Sequence, residues 1–569
     1  MIILGINDIA HHNTSAAIIQ DGKVIAAIEE ERLSRIKLDN QYPHRAIAEV
    51  LEIAGMSAND IDYIAFAGLA PREQKPASDT LFKHIKEAAE HDSVLKSFYR
   101  KQQLDRYARL LKKRPALPEA FKDKPFDVIE HHHAHAASAY YTSPFGDTKT
   151  GIISLDGSGD FSWGSVWTGQ GSQMAHIMHL HAMNSIALLY SAFTVFLGFK
   201  HTRHEGKVLG LAAFGKAEPL RSRLMQEINL DDWEDRLLSP KLARATLRQF
   251  TEMGQSVLRE LAHDLSQEDV AAGLQAFTEE VILHWIKKIS LQLDVKNLAF
   301  AGGLFANVKL NQRILDLPNI ENIYIHPNMG DGGLAAGAAL AVSAKHASTA
   351  PQFMPHAYLG TIINEDNARK ALDESGLKYR KPEKLAEEAG QLLANGKVVA
   401  RADGGMEYGP RALGNRTVMA SCSDASINKW LNDKFQRTEF MPFAPVILAE
   451  HSQDYFPDWQ ENQVAAHFMT ITYNASEIAQ KNIPAAVHVD KTARPQIIRR
   501  QDNPDYYDII AEFHQKTGVP SVINTSFNMH EEPIVCSAND AIRAYLDAEL
   551  DALILGPFLV TREEQLSHD

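Results

Sequence analysis

The sequence predicts a mixed α/β protein in two domains, and three observations carry the prediction. The chain opens with a β-meander: residues 2–6, 14–20 and 23–29 are strand-like runs, the last two joined by an Asp21-Gly22 turn. Four junctions of an apolar strand with glycine or polar turn residues recur, in the first hairpin and at residues 152–167, 298–315 and 326–340. Finally, 569 residues exceed what one hydrophobic core supports. A proline-bearing stretch without periodicity places the boundary near residues 345–365, so the expected domains are 1–350 and 360–569.

Composition narrows the function classes. Hydrophobic residues at 45% and charged residues at 23% are those of a globular protein. A net charge of −14 without a basic run argues against nucleic acid as a partner. No run reaches 18 apolar residues and the first residues lack a basic leader, so neither a membrane span nor a signal peptide is expected. Cys422 and Cys536 are too few for a disulfide framework and read as reduced thiols of a cytoplasmic enzyme.

The first domain is organised around EHHHAHAASAYYTSPFGDTKTGIISLDGSGD, residues 130–160. Its alanines favour a helix over His131–Tyr141, where positions i and i+4 share a face, so His131 and His135 point the same way. The apolar run Gly151–Leu155 reads as a buried strand delivering Asp156, followed by a Gly157, Ser158, Gly159 turn. Two imidazoles and a carboxylate suit a divalent transition metal such as iron, manganese or zinc. His132 and His133 fall to supporting or solvent positions.

Nucleotide contacts are expected at the glycine-rich junctions. In folds of the actin, sugar kinase and Hsp70 type the first hairpin faces phosphate. Gly157, Ser158, Gly159, Lys207, Gly302, Gly303 and Asn307 are the residues expected to cradle a nucleotide, because paired glycines let backbone approach and a helix N-terminus favours negative charge. Asp331 precedes a small-residue helix that packs closely beside a ligand. Residues 216–295 read as a helical insertion or packing layer.

The second domain differs in character. A helical stretch at 366–393 leads to a strand at 397–402 and then to Arg411 and Arg416 among four glycines, a loop suited to anions. Lys434, Arg437 and Arg494 follow in loops beside apolar strands, and the strand starting near Val519 ends in Asn524, Thr525, Ser526 and Asn528. Arg411, Arg416, Lys434, Arg437 and Arg494 are the expected contacts of an anion, and the cluster with Asn524 and Asn528 supplies amide and hydroxyl groups for a small planar ligand such as a carbamoyl or urea-like group.

The motifs EEERLSRIK (29–37), HHHAHAASAYYTSPF (131–145), DGSGD (156–160), KVLGLAAFG (207–215), AGGLFAN (301–307), GDGG (330–333), GMEYGPRALGNR (405–416), PFAP (442–445), TARPQ (492–496) and NTSFN (524–528) together resemble the carbamoyltransferase family of NodU-type nodulation proteins and antibiotic O-carbamoyltransferases, over nearly the whole chain. The resemblance implies an actin-like or sugar-kinase-like (ASKHA) N-terminal domain similar to the tRNA threonylcarbamoyl transferases, with iron held by His131, His135, Asp156 and Asp331. It implies a YrdC-like C-terminal domain that makes carbamoyl adenylate from carbamoyl phosphate and ATP, with or without Mg2+. It also implies transfer to a hydroxyl of a small natural product or sugar, with His12 as candidate base and Lys434, Arg437 and Arg494 handling the donor phosphate. The acceptor stays open among aminoglycoside, macrolide, oligosaccharide and nucleoside, and the oligomeric state stays open with a homodimer as one candidate. Three positions depart from the family pattern: Asn13 where an Asp commonly follows the His, Met441 where an Arg often precedes PFAP, and Glu531 in place of a frequent Gly. The rival readings are a kinase sharing the glycine motifs and a carbamoyl-dependent maturation factor acting on a protein.

Overall fold

A computed structural model describes residues 1–8, 12–68, 118–234, 236–436 and 441–566. Strands β1 (Ile2–Asn7), β2 (Ser15–Gln20), β3 (Lys23–Glu29), β4 (Tyr63–Ala67) and β5 (Phe126–Ile129) form one sheet in the order β3-β2-β1-β4-β5. Strands β6 (Thr150–Gly159), β7 (Ser162–Gln170), β8 (Gln173–His181), β9 (Asn297–Ala301) and β10 (Asn322–Ile325) form another in the order β8-β7-β6-β9-β10. In each sheet the first three strands are an antiparallel meander and the last two run parallel to the first. The first half of the chain is thus one topology used twice, with crossovers where parallel pairing demands them.

Each repeat ends in a helix, His131–Tyr141 after β5 and Leu334–Ala347 after β10, and the two pack together between the sheets. Both are rich in alanine, and Gly337 marks the closest approach: a Cβ there would lie 1.9 Å from the Ala134 carbonyl oxygen. Small side chains are therefore required for this helix pair to meet. The crossover from β8 to β9 holds the helices Glu218–Met225, Pro240–Leu247, Glu252–Ala262 and Gln267–Leu293, so the expected helical layer is present.

Residues 348–357 have no regular structure. Beyond them β11 (Tyr358–Ile363) pairs with β13 (Gly404–Glu407). A seven-stranded sheet contains β12 (Val399–Ala402), β14 (Arg416–Ser421), β15 (Ala444–Leu448), β18 (Gln496–Ile498), β19 (Ser521–Ser526), β20 (Ala552–Leu555) and β21 (Phe558–Thr561), in the order β18-β15-β19-β14-β12-β20-β21. The short strands β16 (Tyr473–Asn474) and β17 (Thr492–Ala493) pair separately. Helices Leu385–Ala394 and Pro504–Thr517 bury their apolar faces against one side of the large sheet.

Two local expectations are corrected. Strand β6 does not stop at Leu155 but continues through Gly159, because its pairing with β7 resumes after a register shift, and the turn falls at Asp160 and Phe161 with φ of 44° and 71°. The helical stretch at 366–393 is two helices, Glu365–Ser375 and Leu385–Ala394, the first ended by Gly376 at φ 71°. Arg437 lies outside the described residues. Cys422 and Cys536 are free and buried. Among the described residues no helix is long and apolar enough to cross a membrane.

Candidate functional site

Four side chains meet where the two repeats join. His131 and His135 come from the helix after β5, whose N-terminus is capped by Glu130 accepting from the His133 amide at 2.7 Å. Asp156 projects from β6, and Asp331 sits in the turn after β10. One ligand atom from each lies within 4.8 Å of all the others. His131 Nε2 is 3.5 Å from Asp156 Oδ2 and 3.7 Å from Asp331 Oδ1, and His135 Nε2 is 3.6 Å from Asp331 Oδ1. These separations are too long for hydrogen bonds but match the roughly 3.4 Å between neighbouring ligands held about 2.1 Å from one tetrahedral ion.

The polar atoms facing this gap fit a cation. His131 Nε2, both ring nitrogens of His135 and Asp331 Oδ1 are buried without a hydrogen-bond partner. Each such orphan costs about 1–3 kcal/mol, and three of them, His131 Nε2, His135 Nε2 and Asp331 Oδ1, converge with Asp156 on one point where a cation would satisfy them together. Burial works against charge on His131, yet Asp331 and Asp156 outweigh it and push its pKa up to about 10. The same concentration of negative charge would favour a divalent cation in place of that proton.

The surroundings hold the ligands in place. Asp156 Oδ1 accepts from the Gly303 amide at 2.8 Å, and Asn7 Nδ2 donates to the Asp331 carbonyl at 2.8 Å. A Cβ on Gly159 would stand 2.2 Å from the His131 ring, and one on Gly303 would stand 2.7 Å from Asp156 Oδ1. Gly303 and Gly159, read as nucleotide contacts, thus make room for metal ligands. His132 is spent on structure, with Nδ1 on Ser154 Oγ and Nε2 on the Ser162 carbonyl, both at 3.0 Å. His133 stacks on Trp167.

Beside the cluster, His12 is half-buried, and Asn7 Nδ2 ties the neighbouring Asn13 carbonyl to the Asp331 carbonyl. On the other side the loop between β13 and β14 packs against the metal-ligand turn. Tyr408 donates to the Gly332 carbonyl at 2.8 Å, and the buried Arg32 donates to the Gly409 carbonyl at 2.9 Å. Glu407 organises the loop by accepting from the Leu413, Asn415 and Arg416 amides. Nothing in the sequence flagged Tyr408 or Glu407 beyond their place in a glycine-rich run.

Arg411, in the middle of this loop, is half-buried as a residue, and its Nε is buried with no hydrogen-bond partner among the described residues. Burial pushes its pKa down to about 10. A half-buried guanidinium whose inner Nε lacks a partner among the described residues is a feature that an anion can complete. Arg494 is half-buried between β17 and β18, near the same loop, since Gln496 donates to the Leu413 carbonyl at 2.8 Å.

Most of the other expected contacts already have partners or packing roles within the protein. Arg416 is fully buried and donates to the carbonyls of Asp403, Gly404, Asn415, Thr361 and Cys536, which leaves no donor for phosphate. Asn524 is likewise committed, to the Ala412 carbonyl, Gln496 and Thr417. Asn528 donates to the carbonyls of Met529 and Glu532. Asn307 caps the Val308–Leu315 helix and binds Gln275. Lys434 pairs with Glu549 at 2.6 Å. Gly302 adopts φ 100° against the Leu155 backbone, a packing requirement. Lys207 is buried, and Gly157 offers its carbonyl to Ser185 Oγ at 2.8 Å. Ser158 lies in β6, not in a turn.

Comparison with known proteins gives a consistent result. The family described as carbamoyltransferase N-terminus matches residues 2–340, and that described as carbamoyltransferase C-terminus matches residues 390–562. An uncharacterized protein of Synechocystis sp. is 32% identical, covering 99% of this chain and 97% of its own. Nodulation protein NolNO of Sinorhizobium fredii is 31% identical, covering 98% and 80%. Nodulation protein U of Rhizobium tropici is 25% identical, covering 91% and 90%.

Proposed function

The chain belongs to the carbamoyltransferase family, and from that premise we propose that it is an ATP-dependent O-carbamoyltransferase. In this reading the second half, YrdC-like and bounded near residues 350–360, hydrolyses carbamoyl phosphate to carbamate and phosphate, and a carbamate oxygen then attacks the α-phosphorus of ATP to form carbamoyl adenylate and release pyrophosphate. The first half, sugar-kinase-like in its duplicated sheets, transfers the carbamoyl group to a hydroxyl of a small molecule. The observation that carries it is the coexistence of a half-buried Arg411, whose Nε has no partner among the described residues, with the His2Asp2 cluster, joined through one loop.

The residues divide the work. Arg411 and Arg494 bind and orient the phosphoryl groups of the donor, which charge-assisted forks do well. His131, His135, Asp156 and Asp331 would hold a divalent ion, iron in our reading, which supplies Lewis acidity to stabilise negative charge developing on the carbamoyl donor. His12 takes the proton of the acceptor hydroxyl as its oxygen forms the new bond to the carbamoyl carbon, while the bond from that carbon to the adenylate oxygen breaks and AMP leaves. The loop from Tyr408 to Arg411 lies on the path of the intermediate between the two halves.

The test is incubation of the purified chain with carbamoyl phosphate, ATP and a panel of hydroxyl compounds. The expected result is carbamoyl-phosphate-dependent release of pyrophosphate and AMP, with a carbamoyl mass gain on an acceptor. ADP as sole nucleotide product would replace this reading with a kinase.

A further inference from the structure

We propose that Glu29, acting through Asn13, sets the tautomer of His12, so that Nδ1 carries the hydrogen and Nε2 presents its lone pair. This rests on the reading of His12 as the base. Glu29 is 2% exposed and its two oxygens have separate partners: Oε1 accepts from Asn328 Nδ2 at 2.8 Å, and Oε2 accepts from Asn13 Nδ2 at 3.0 Å. The Arg32 guanidinium lies 3.6 Å from Oε2. A carboxylate beside a guanidinium only accepts, so the NH2 of Asn13 must face Glu29 and its Oδ1 must face the other way. That Oδ1 lies 2.9 Å from His12 Nδ1. An amide oxygen also only accepts, which obliges Nδ1 to be the donor.

The backbone fits the same task. Asn13 has φ 59°, a left-handed conformation that asparagine and aspartate tolerate better than most residues. Asn7 Nδ2 donates to the carbonyls of both Asn13 and Asp331, at 3.2 and 2.8 Å, so the loop bearing His12 is fixed beside the metal cluster. Directly after the histidine this chain has a neutral amide, with the carboxylate one link behind it. Glu29 and Asn13 are positioning residues; neither touches the acceptor.

The prediction that separates this relay from mere packing is a swap. In Glu29→Gln the new amide presents an NH2 toward Asn13, which relieves the donor clash by turning its own amide and offering NH2 to His12. The histidine then carries its hydrogen on Nε2 and loses the lone pair. Acceptor turnover should fall between about 10² and 10⁴-fold, with little change in KM for the acceptor. Glu29→Gln combined with Asn13→Asp restores an acceptor-only group at Nδ1, and turnover should recover by at least tenfold over the single variant. Asn13→Gly, free of strain at this φ, should lose turnover as the single variant does.

The tautomer itself is read from imidazole nitrogen shifts of the full chain, 15N-labelled at histidine and loaded with zinc, with the His12 signals identified by comparison with His12→Gln. Nδ1 protonated in the wild type and Nε2 protonated in Glu29→Gln is the expected pair. An unchanged spectrum in Glu29→Gln, or a double variant no better than the single one, overturns the relay. A wild-type chain that carbamoylates nothing overturns the proposed function instead, and the nitrogen shifts still decide the relay.

Discussion

The Tyr408 hydroxyl donates to the carbonyl of Gly332 at 2.8 Å, so a residue of the second half of the chain holds the backbone next to the ligand Asp331 in the first. Tyr408 is 2% exposed, and the adjoining Gly409 sits so close that a Cβ would lie 2.7 Å from the Pro327 carbonyl oxygen. Tyr408→Phe removes one hydrogen bond and leaves a buried carbonyl unpaired, at a cost of about 1–3 kcal/mol. Carbamoylation of the acceptor should slow more than carbamoyl-phosphate-dependent AMP release does. Equal slowing of both would show that the contact serves only stability.

Removing a metal ligand should separate the two half-reactions. His135→Ala or Asp331→Ala leaves an incomplete set and should abolish metal retention and acceptor carbamoylation, while donor activation persists. Gly159→Ala, which drives a Cβ into the His131 ring, should weaken metal binding without altering any ligand. Elemental analysis after dialysis checks all three, and full occupancy in any of them would remove that residue from the site.

Arg411→Leu should trade function against stability. Taking away a half-buried charge removes a desolvation penalty, so the thermal midpoint should hold or rise. Loss of a charge-assisted contact to the donor costs about 1.5–3 kcal/mol, which is roughly a ten- to hundredfold drop in adenylate formation. Arg494→Ala should show a similar drop. Wild-type adenylate formation in both would move the donor site elsewhere.

Glu531 ties the halves together in a pH-dependent way. Its carboxylate accepts from Lys200 at 2.8 Å, Arg203 at 2.7 Å and His204 at 3.1 Å, and these contacts, Lys200 first, hold its pKa at about 2 against an ordinary 4.5. A depressed carboxyl contributes stability that is present above pH 4.5 and lost as the pH falls toward about 2. Protection from hydrogen exchange at residues 199–204 should therefore exceed that of Glu531→Gln at neutral pH, and the difference should shrink across that acid window. A difference that does not vary with pH would mean that the ion pairs contribute nothing.

The helix over His131–Tyr141 was legible because alanine propensity and the i, i+4 histidines agree with its buried position. The three opening strands were legible because their apolar runs match burial on both faces. Charged residues were harder to place. Arg416 and Arg411 stand in one glycine-rich loop, yet one is spent on five backbone carbonyls and the other keeps a buried Nε without a partner among the described residues, a difference set by strands distant in sequence. Glu29 closed a strand-like run with no role read for it and is a buried carboxylate with three partners. Gly159 and Gly303 advertised backbone freedom, while the reason for them is the volume of a histidine ring and a carboxylate.

The repeated sheet order has a mechanical side. His131 and His135 belong to the first repeat, Asp156 and Asp331 to the second, so an ion among them is a rivet driven through the seam between two copies of one plan. A swing of one sheet against the other would pull the rivet apart, and the close seating of Gly337 on Ala134 leaves no slack for sliding. The front of the molecule is expected to stay stiff once loaded. Breathing is then expected at the other joint, where the second half grips the first through Tyr408, Arg32 and Glu531.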